Sequence, residues 1–209
     1  SSGEMGVAVQ SHWFSTGSLV IWGEAGVGVV ATQSMVEVSY GPLGLEGMRA
    51  GRSSGKVLKA LLEKDDRREL RQVAMLDAHG EIAAHTDTRC IAAAGHITGD
   101  GFSAQANMML NDSVWPAMAR AYTTTSGSLA ERLLAALLAA QETGGDIRGQ
   151  QSAAMLVVSG RDIGKPWDGR IIDLRVEDHP TPILELQRLL KVQQAYRSMN
   201  LGDELLSQG

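Results

Sequence analysis

Apolar and small or polar residues alternate from Met5 to Gln10, which puts Val7 and Val9 on one face and Gly6, Ala8 and Gln10 on the other. A period of two is that of a half-buried strand. Val27 to Gln33 repeats the pattern, and the glycines in both segments suggest that another layer packs closely. "SYGPLGLEGMRAG" reads as a turn at Gly41-Pro42 and a short helix ending near Gly51. In "SSGKVLKALLEKDD" the residues Val57, Leu58, Leu61 and Leu62 recur at helical spacing. Gln72 to Asp77 and Glu81 to His85 are two strands joined by the turn "AHG", and "GFSAQANMM" is a further strand. Ser113 to Tyr122 is helical, with Pro116 in its first turn. "SLAERLLAALLAAQETGG" is the clearest helix, opened by a capping box of Ser128 and Glu131 and closed at Gly144. "SAAMLVVSG" and "IIDLRVED" are late strands, joined by a loop carrying Pro166 and Trp167. "TPILELQRLLKVQQAYRSMN" is the last helix, with Thr181 as cap and Pro182 at the first helical position.

Strands cluster in hairpins and helices come in pairs, which predicts an α+β fold with largely antiparallel sheets rather than a doubly wound one. Two sheets between helix layers fit this order. The single domain is expected over residues 1–200. Residues 201–209, "LGDELLSQG", then form a tail that starts another helical element. The opening "SSGEMG" has the character of a hairpin turn with no strand before it.

Composition narrows the picture. With 209 residues and 44% hydrophobic content, one compact domain can bury a sizeable core. Only 4% of residues are aromatic against 24 glycines, so close packing through small side chains is expected. A net charge of -5 gives no basic footprint, which argues against nucleic acid as a partner. The lone Cys90 excludes an internal disulfide. No apolar run approaches the roughly 20 residues that cross a bilayer. No signal-peptide pattern opens the chain, so a cytoplasmic location is expected.

Three strand ends carry the dipeptide Gln-Ser: Gln10-Ser11, Gln33-Ser34 and Gln151-Ser152. Composition predicts about one such pair. Polar residues mark strand ends in any protein. If these strands end together, however, Gln10, Ser11, His12, Gln33, Ser34 and Gln151 share a rim whose amides and hydroxyls could bind a small polar substrate. In "GGDIRGQQS", Asp146 and Arg148 lie two apart in a tight loop, as a brace or as a clamp for a substrate carboxylate. Asn107 can either donate to a developing oxyanion or satisfy a turn. His85, Cys90 and His96 are zinc-ligand types at spacings that match no short ligand pattern, so a structural loop around a buried thiol is the plainer reading. His79 belongs to a solvated hairpin turn. Neither a metal nor a cofactor is expected. The GxSxG, Walker, HExxH and GxGxxG patterns are missing. Ser11 and His12 are a poor nucleophile–base pair, because neighbours along a strand point to opposite faces.

The segments "GVAVQSHWF", "EAGVGVVATQSMVEVSYGPLGLEGMRAG", "RQVAMLDAHGEIAAHT", "CIAAAGHITG", "QANMM", "GGDIRGQQSAAM" and "IDLRVEDHPTPILELQRL" together resemble a bacterial family, the domain-of-unknown-function family 1028. The likeness runs from about Gly3 to Asp203. It implies a four-layer α-β-β-α sandwich of the N-terminal-nucleophile (Ntn) hydrolase type. Family members usually begin with a strand of the type Thr-Phe-Ser-Ile-Val-Ala before a hairpin at Ser2-Gly3, and this chain lacks it. In such hydrolases the first residue supplies both nucleophile and α-amino base, so the resemblance places the nucleophile upstream of Ser1, not at Ser1. Some longer members continue into a region labelled as putative peptidoglycan binding.

Two functions follow as expectations. One is hydrolysis of an amide bond in a small polar substrate, with Asn107 stabilising the oxyanion and Asp146 with Arg148 positioning the substrate. The other is a non-catalytic binding or assembly module, including a cell-wall related one, that keeps the fold. A homo-oligomer is also expected, with small-residue helices and exposed Met108 and Met109 at its interface.

Overall fold

The computed structural model of the chain describes residues 3–165 and 168–208. The predicted turn at Ser1 to Gly3 and the loop carrying Pro166 and Trp167 fall partly outside these residues. Nine strands and five α-helices follow in the described residues: β1 (Met5–Ser11), β2 (Ile21–Glu24), β3 (Gly28–Ser34), α1 (Tyr40–Arg49), α2 (Ser54–Leu62), β4 (Arg71–Asp77), β5 (Ile82–Thr86), β6 (Gly95–Gly99), β7 (Phe102–Ala106), α3 (Val114–Thr124), α4 (Leu129–Glu142), β8 (Ser152–Val158), β9 (Arg170–Val176) and α5 (Pro182–Gln208). The fold is mixed α+β with antiparallel sheets, as the element order predicts.

β1, β8 and β9 form one sheet in that order, with Met5 opposite Val158 and Ser11 opposite Ser152. β2, β3, β4 and β5 form the second sheet, and β6 with β7 a separate two-stranded ribbon. Three apolar clusters hold the two larger sheets and their helices together. β8 is buried along its whole length, so its two faces serve two of them. Ala153, Met155 and Val157 pack on Leu134 and Leu137 of α4 and on Ile183, Leu186 and Leu190 of α5. Ala154, Leu156 and Val158 meet Val7 and Val9 of β1 and Val29 of β3. On the far face of the second sheet, Val30, Val73 and Met75 bury Leu45 and Met48 of α1 and Val57 and Leu58 of α2. Each buried Val, Leu, Ile or Met among them contributes about 1.5–3 kcal/mol relative to exposure.

The small residues let the layers approach. A Cβ on Gly6 would stand 2.8 Å from Leu133 Cδ1 on α4, and a Cβ on Gly41 would stand 2.4 Å from the Trp22 ring. The predicted capping box of α4 is present, with Ser128 Oγ accepting from the Glu131 N–H and Glu131 accepting from the Ser128 N–H. Gly144 and Gly145 both take positive φ just past its end.

Three expectations need correction. β2 and β6 are strands the pattern does not announce, because β2 is four residues long and β6 carries glycine at both ends. Residues 201–208 do not start a new element: α5 runs unbroken through Gly202 to Gln208. Met108 and Met109 are half-buried, and Met109 packs against the Ala106, Val114 and Ala140 cluster instead of facing a partner. No helix among the described residues is long and apolar enough to cross a membrane.

Candidate functional site

β1 is an edge strand, paired with β8 on one side only. Along its other side runs an open slot of about 190 Å³, lined by every residue from Met5 to Ser11. β7 and Asn107 form the opposite wall, Val29, Ala31 and Leu76 of the second sheet contribute the floor, and Leu133 and Leu137 of α4 close it from the helix side. The slot is apolar along most of its length and polar at the end where β1 and β3 finish. There Gln10, Ser11, Gln33, Asn107, Asp146 and Arg148 line it together.

The rim amides are oriented by a residue that sequence reasoning missed. Gln72 is fully buried at the start of β4 and stands opposite Gln33 in the β3–β4 register. Its Nε2 donates towards the Ala106 carbonyl at 2.8 Å, Thr86 Oγ1 at 3.0 Å and the Gly95 carbonyl at 3.2 Å. Three acceptors on one side fix that end as the nitrogen. Its Oε1 therefore faces the other way and accepts from Gln33 Nε2 at 3.0 Å and Asn107 Nδ2 at 3.1 Å. Gln33 and Asn107 each spend one N–H on Gln72 and keep the second. The cue in the sequence is a lone glutamine within the otherwise apolar run "QVAML", and the pairing that explains it is not local.

Asp146 and Arg148 form a bidentate ion pair, Nε to Oδ1 at 3.0 Å and Nη2 to Oδ2 at 2.6 Å. The same carboxylate accepts from the Arg148 N–H at 2.9 Å and the His12 N–H at 3.3 Å. Burial pushes the Asp146 carboxyl up, but the hydrogen bonds from Arg148 and His12 outweigh it and hold the group below the usual carboxylate range. Arg148 Nη2 also reaches Ser11 Oγ at 3.4 Å. The pair thus braces the end of β1, and the guanidinium charge is neutralised within its own loop.

Three predicted residues do not join the slot. Gln151 sends its amide to Asp178 at 3.2 Å. The His12 side chain leaves its buried Nδ1 without a partner. Ser34 adopts φ +68° and also leaves its Oγ buried and unpartnered. Within the slot, Gln10 Nε2 and Gln105 Nε2 are likewise buried with no acceptor. An unmet buried donor costs about 1–3 kcal/mol, so each calls for an acceptor inside the slot.

The zinc-type residues are dispersed. His96 Nδ1 bonds Thr86 Oγ1 at 2.8 Å, Cys90 Sγ bonds the Arg71 carbonyl at 3.1 Å, and His85 Nε2 bonds the Arg68 carbonyl at 3.1 Å. No three His, Cys, Asp or Glu side chains gather as a metal site among the described residues.

No curated protein matches the chain. Among solved structures it is similar to the crystal structure of protein SPO2555 from Silicibacter pomeroyi, of the DUF1028 family. The two share 30% sequence identity and a TM-score of 0.81, over 91% of this chain and 80% of that one. The model of DUF1028, a family of unknown function, matches residues 1–186. The chain belongs to that family.

Proposed function

We propose that this domain is an Ntn-hydrolase-like amidohydrolase whose nucleophile stands at the head of a strand preceding Gly3. The order of the three cores supports the layered α-β-β-α reading: helices, a sheet, a second sheet, helices. The observation that carries the proposal is the slot beside the free edge of β1. A strand turned back at Ser2-Gly3 would enter that slot antiparallel to β1. By strand geometry, the residue opposite Gln10 would then lie about six positions upstream of Ser1. That places the first residue of a strand such as Thr-Phe-Ser-Ile-Val-Ala at the polar rim, beside Gln10, Gln33 and Asn107. Its main-chain carbonyls would also supply acceptors for the orphaned Gln10 and Gln105 amides.

The chemistry then follows. The terminal hydroxyl or thiol attacks the substrate carbonyl, and its own α-amine takes the proton and delivers it to the leaving amine; water, deprotonated by the same amine, then attacks the acyl-enzyme, releasing the acid and returning the proton to the nucleophile. The second N–H of Asn107 is free to receive the oxyanion. Because the Arg148 charge is already neutralised by Asp146, the rim suits an uncharged amide better than a carboxylate.

The test is a protein carrying the preceding residues, assayed with an electrophilic acyl probe such as a β-lactone and with a panel of small amides. The probe is expected on the first residue, and replacing that residue with Ala is expected to abolish both labelling and hydrolysis. An Ala variant with full activity overturns the mechanism. An absence of both labelling and hydrolysis favours the non-catalytic binding module.

A further inference from the structure

The loops around the polar rim carry apolar side chains on their outer side. After β1 come Trp13 and Phe14, which are 57% and 63% exposed. After β3 come Met35, Val36 and Val38, and Leu110 follows β7. Ile91 stands before β6 and Ile147 before β8, and every one of these side chains is open to solvent. The turns at the opposite end of the strands differ. They expose His79 and Glu81 between β4 and β5, and Asp100 between β6 and β7. Ile163, between β8 and β9, is the exception there among the described residues.

Hydrogen bonds join the rim loops into one collar. The Met108 N–H donates to the Ile91 carbonyl at 2.8 Å, and the Ile147 N–H to the Met108 carbonyl at 3.0 Å. The His12 N–H on Asp146 ties the loop after β1 to the same ring, and Gln72 links Gln33 to Asn107. Ser15, Ser34 and Met108, the non-glycine residues with left-handed φ among the described residues, all lie in these loops. Such backbone is uncommon and concentrates at binding sites. The described ends of the chain are elsewhere. Gly3 packs on Gly160, and Gln193 and Arg197 of α5 share a groove with Glu4, at the other end of β1.

Inside the collar the polar groups are donors. Gln33 and Asn107 each keep one N–H after bonding Gln72. The charges beside them are spent within the fold, Arg148 on Asp146 and Arg71 on Asp65. We propose that the rim takes an uncharged secondary amide with an apolar side chain on either flank, as in a hydrophobic peptide segment. Its carbonyl meets the central donors, and its flanks cover the apolar loops. A second copy of the chain fits less well, because a two-fold pairing sets these donors against the same donors. Cleavage of the amide rests on the hydrolase reading; its binding does not.

The protein with its preceding residues is titrated calorimetrically with three blocked dipeptides: acetyl-Phe-Leu-amide, acetyl-Gly-Gly-amide and acetyl-Asp-Asp-amide. Each mixture is then read for cleavage by mass spectrometry. The apolar peptide should bind about tenfold tighter than the other two, as partial burial of two apolar side chains gives. Trp13→Ser combined with Ile147→Ser should bring the three within about twofold at an unchanged circular dichroism spectrum. Ile163→Ser, at the opposite end, should leave the preference intact. Equal affinities, no binding of the apolar peptide, or a preference that survives the double substitution would each overturn the proposal. So would a dimer in light scattering that the double substitution dissolves without any peptide preference. Preference without cleavage supports the collar and counts against the hydrolase reading, whereas equal binding and cleavage of all three does the reverse.

Discussion

Gln72 sets the direction of two rim amides while touching nothing outside the fold. Replacing it with Leu leaves Gln33 and Asn107 without their shared acceptor and leaves the Ala106 and Gly95 carbonyls without their donor. Gln72→Leu should therefore cost about 2–4 kcal/mol in chemical denaturation, from several unmet buried groups. Under the proposed mechanism Asn107→Ala should lower hydrolysis by about 10²–10³ in kcat, the usual loss for one oxyanion donor, while Gln72 Oε1 keeps its bond from Gln33. A second charged node lies under the β3–α1 connection. Arg71 Nε donates to Asp65 Oδ2 at 2.7 Å, and that hydrogen bond is the main reason the Asp65 carboxyl falls to about 2. Its folded pKa lies below its ordinary value of 3.8. The contribution is thus complete above the unfolded value and is lost as pH falls through about 2. Thermal melts below pH 4 should show this acid loss, and Asp65→Asn should flatten it. Much of the rim was readable at this scale, because Gln10, Ser11 and Gln33 end strands that run the same way. Gln151 was not separable from them: it stands just before β8 at the same end of the first sheet as Ser11, but its amide turns away to Asp178. Gln72 was invisible because its partners come from β3, β5 and the β6–β7 ribbon, all distant in sequence.

Among the elements, those with complete local signals were legible. The capping box and terminal glycines of α4 bound it at both ends, and Val7 with Val9 declared the buried face of β1. β2 escaped because four residues give too little alternation to count, and its role is tertiary. Trp22 on β2 lies flat under α1, with its Nε1 donating to the Leu19 carbonyl at 3.1 Å. Gly41 is what allows the contact, since a Cβ there would stand 2.4 Å from the indole. Gly41→Ala should therefore displace α1 or the ring and cost about 1–3 kcal/mol, the range for overpacking. Urea denaturation with an unchanged m-value would check it, whereas a neutral effect would show that α1 shifts freely. α5 was misread at its end because Gly202 resembles a stop signal. Helical residues on both sides carry the helix through.

At the scale of the molecule, β1, β3 and β8 share one apolar cluster, α4 and α5 pack on β8 in a second, and α1 and α2 pack on β3 and β4 in a third. The slot beside β1 leaves a strand edge and apolar walls unfilled together. An exposed edge normally needs cover, and the slot runs the whole length of β1. The direct check is the mature N-terminus of a protein that includes the residues before Ser1, read by intact mass and terminal sequencing. The account predicts a free Thr, Ser or Cys about six positions before Ser1, at the length that fills the slot. A blocked terminus, or one at a different position, would contradict it.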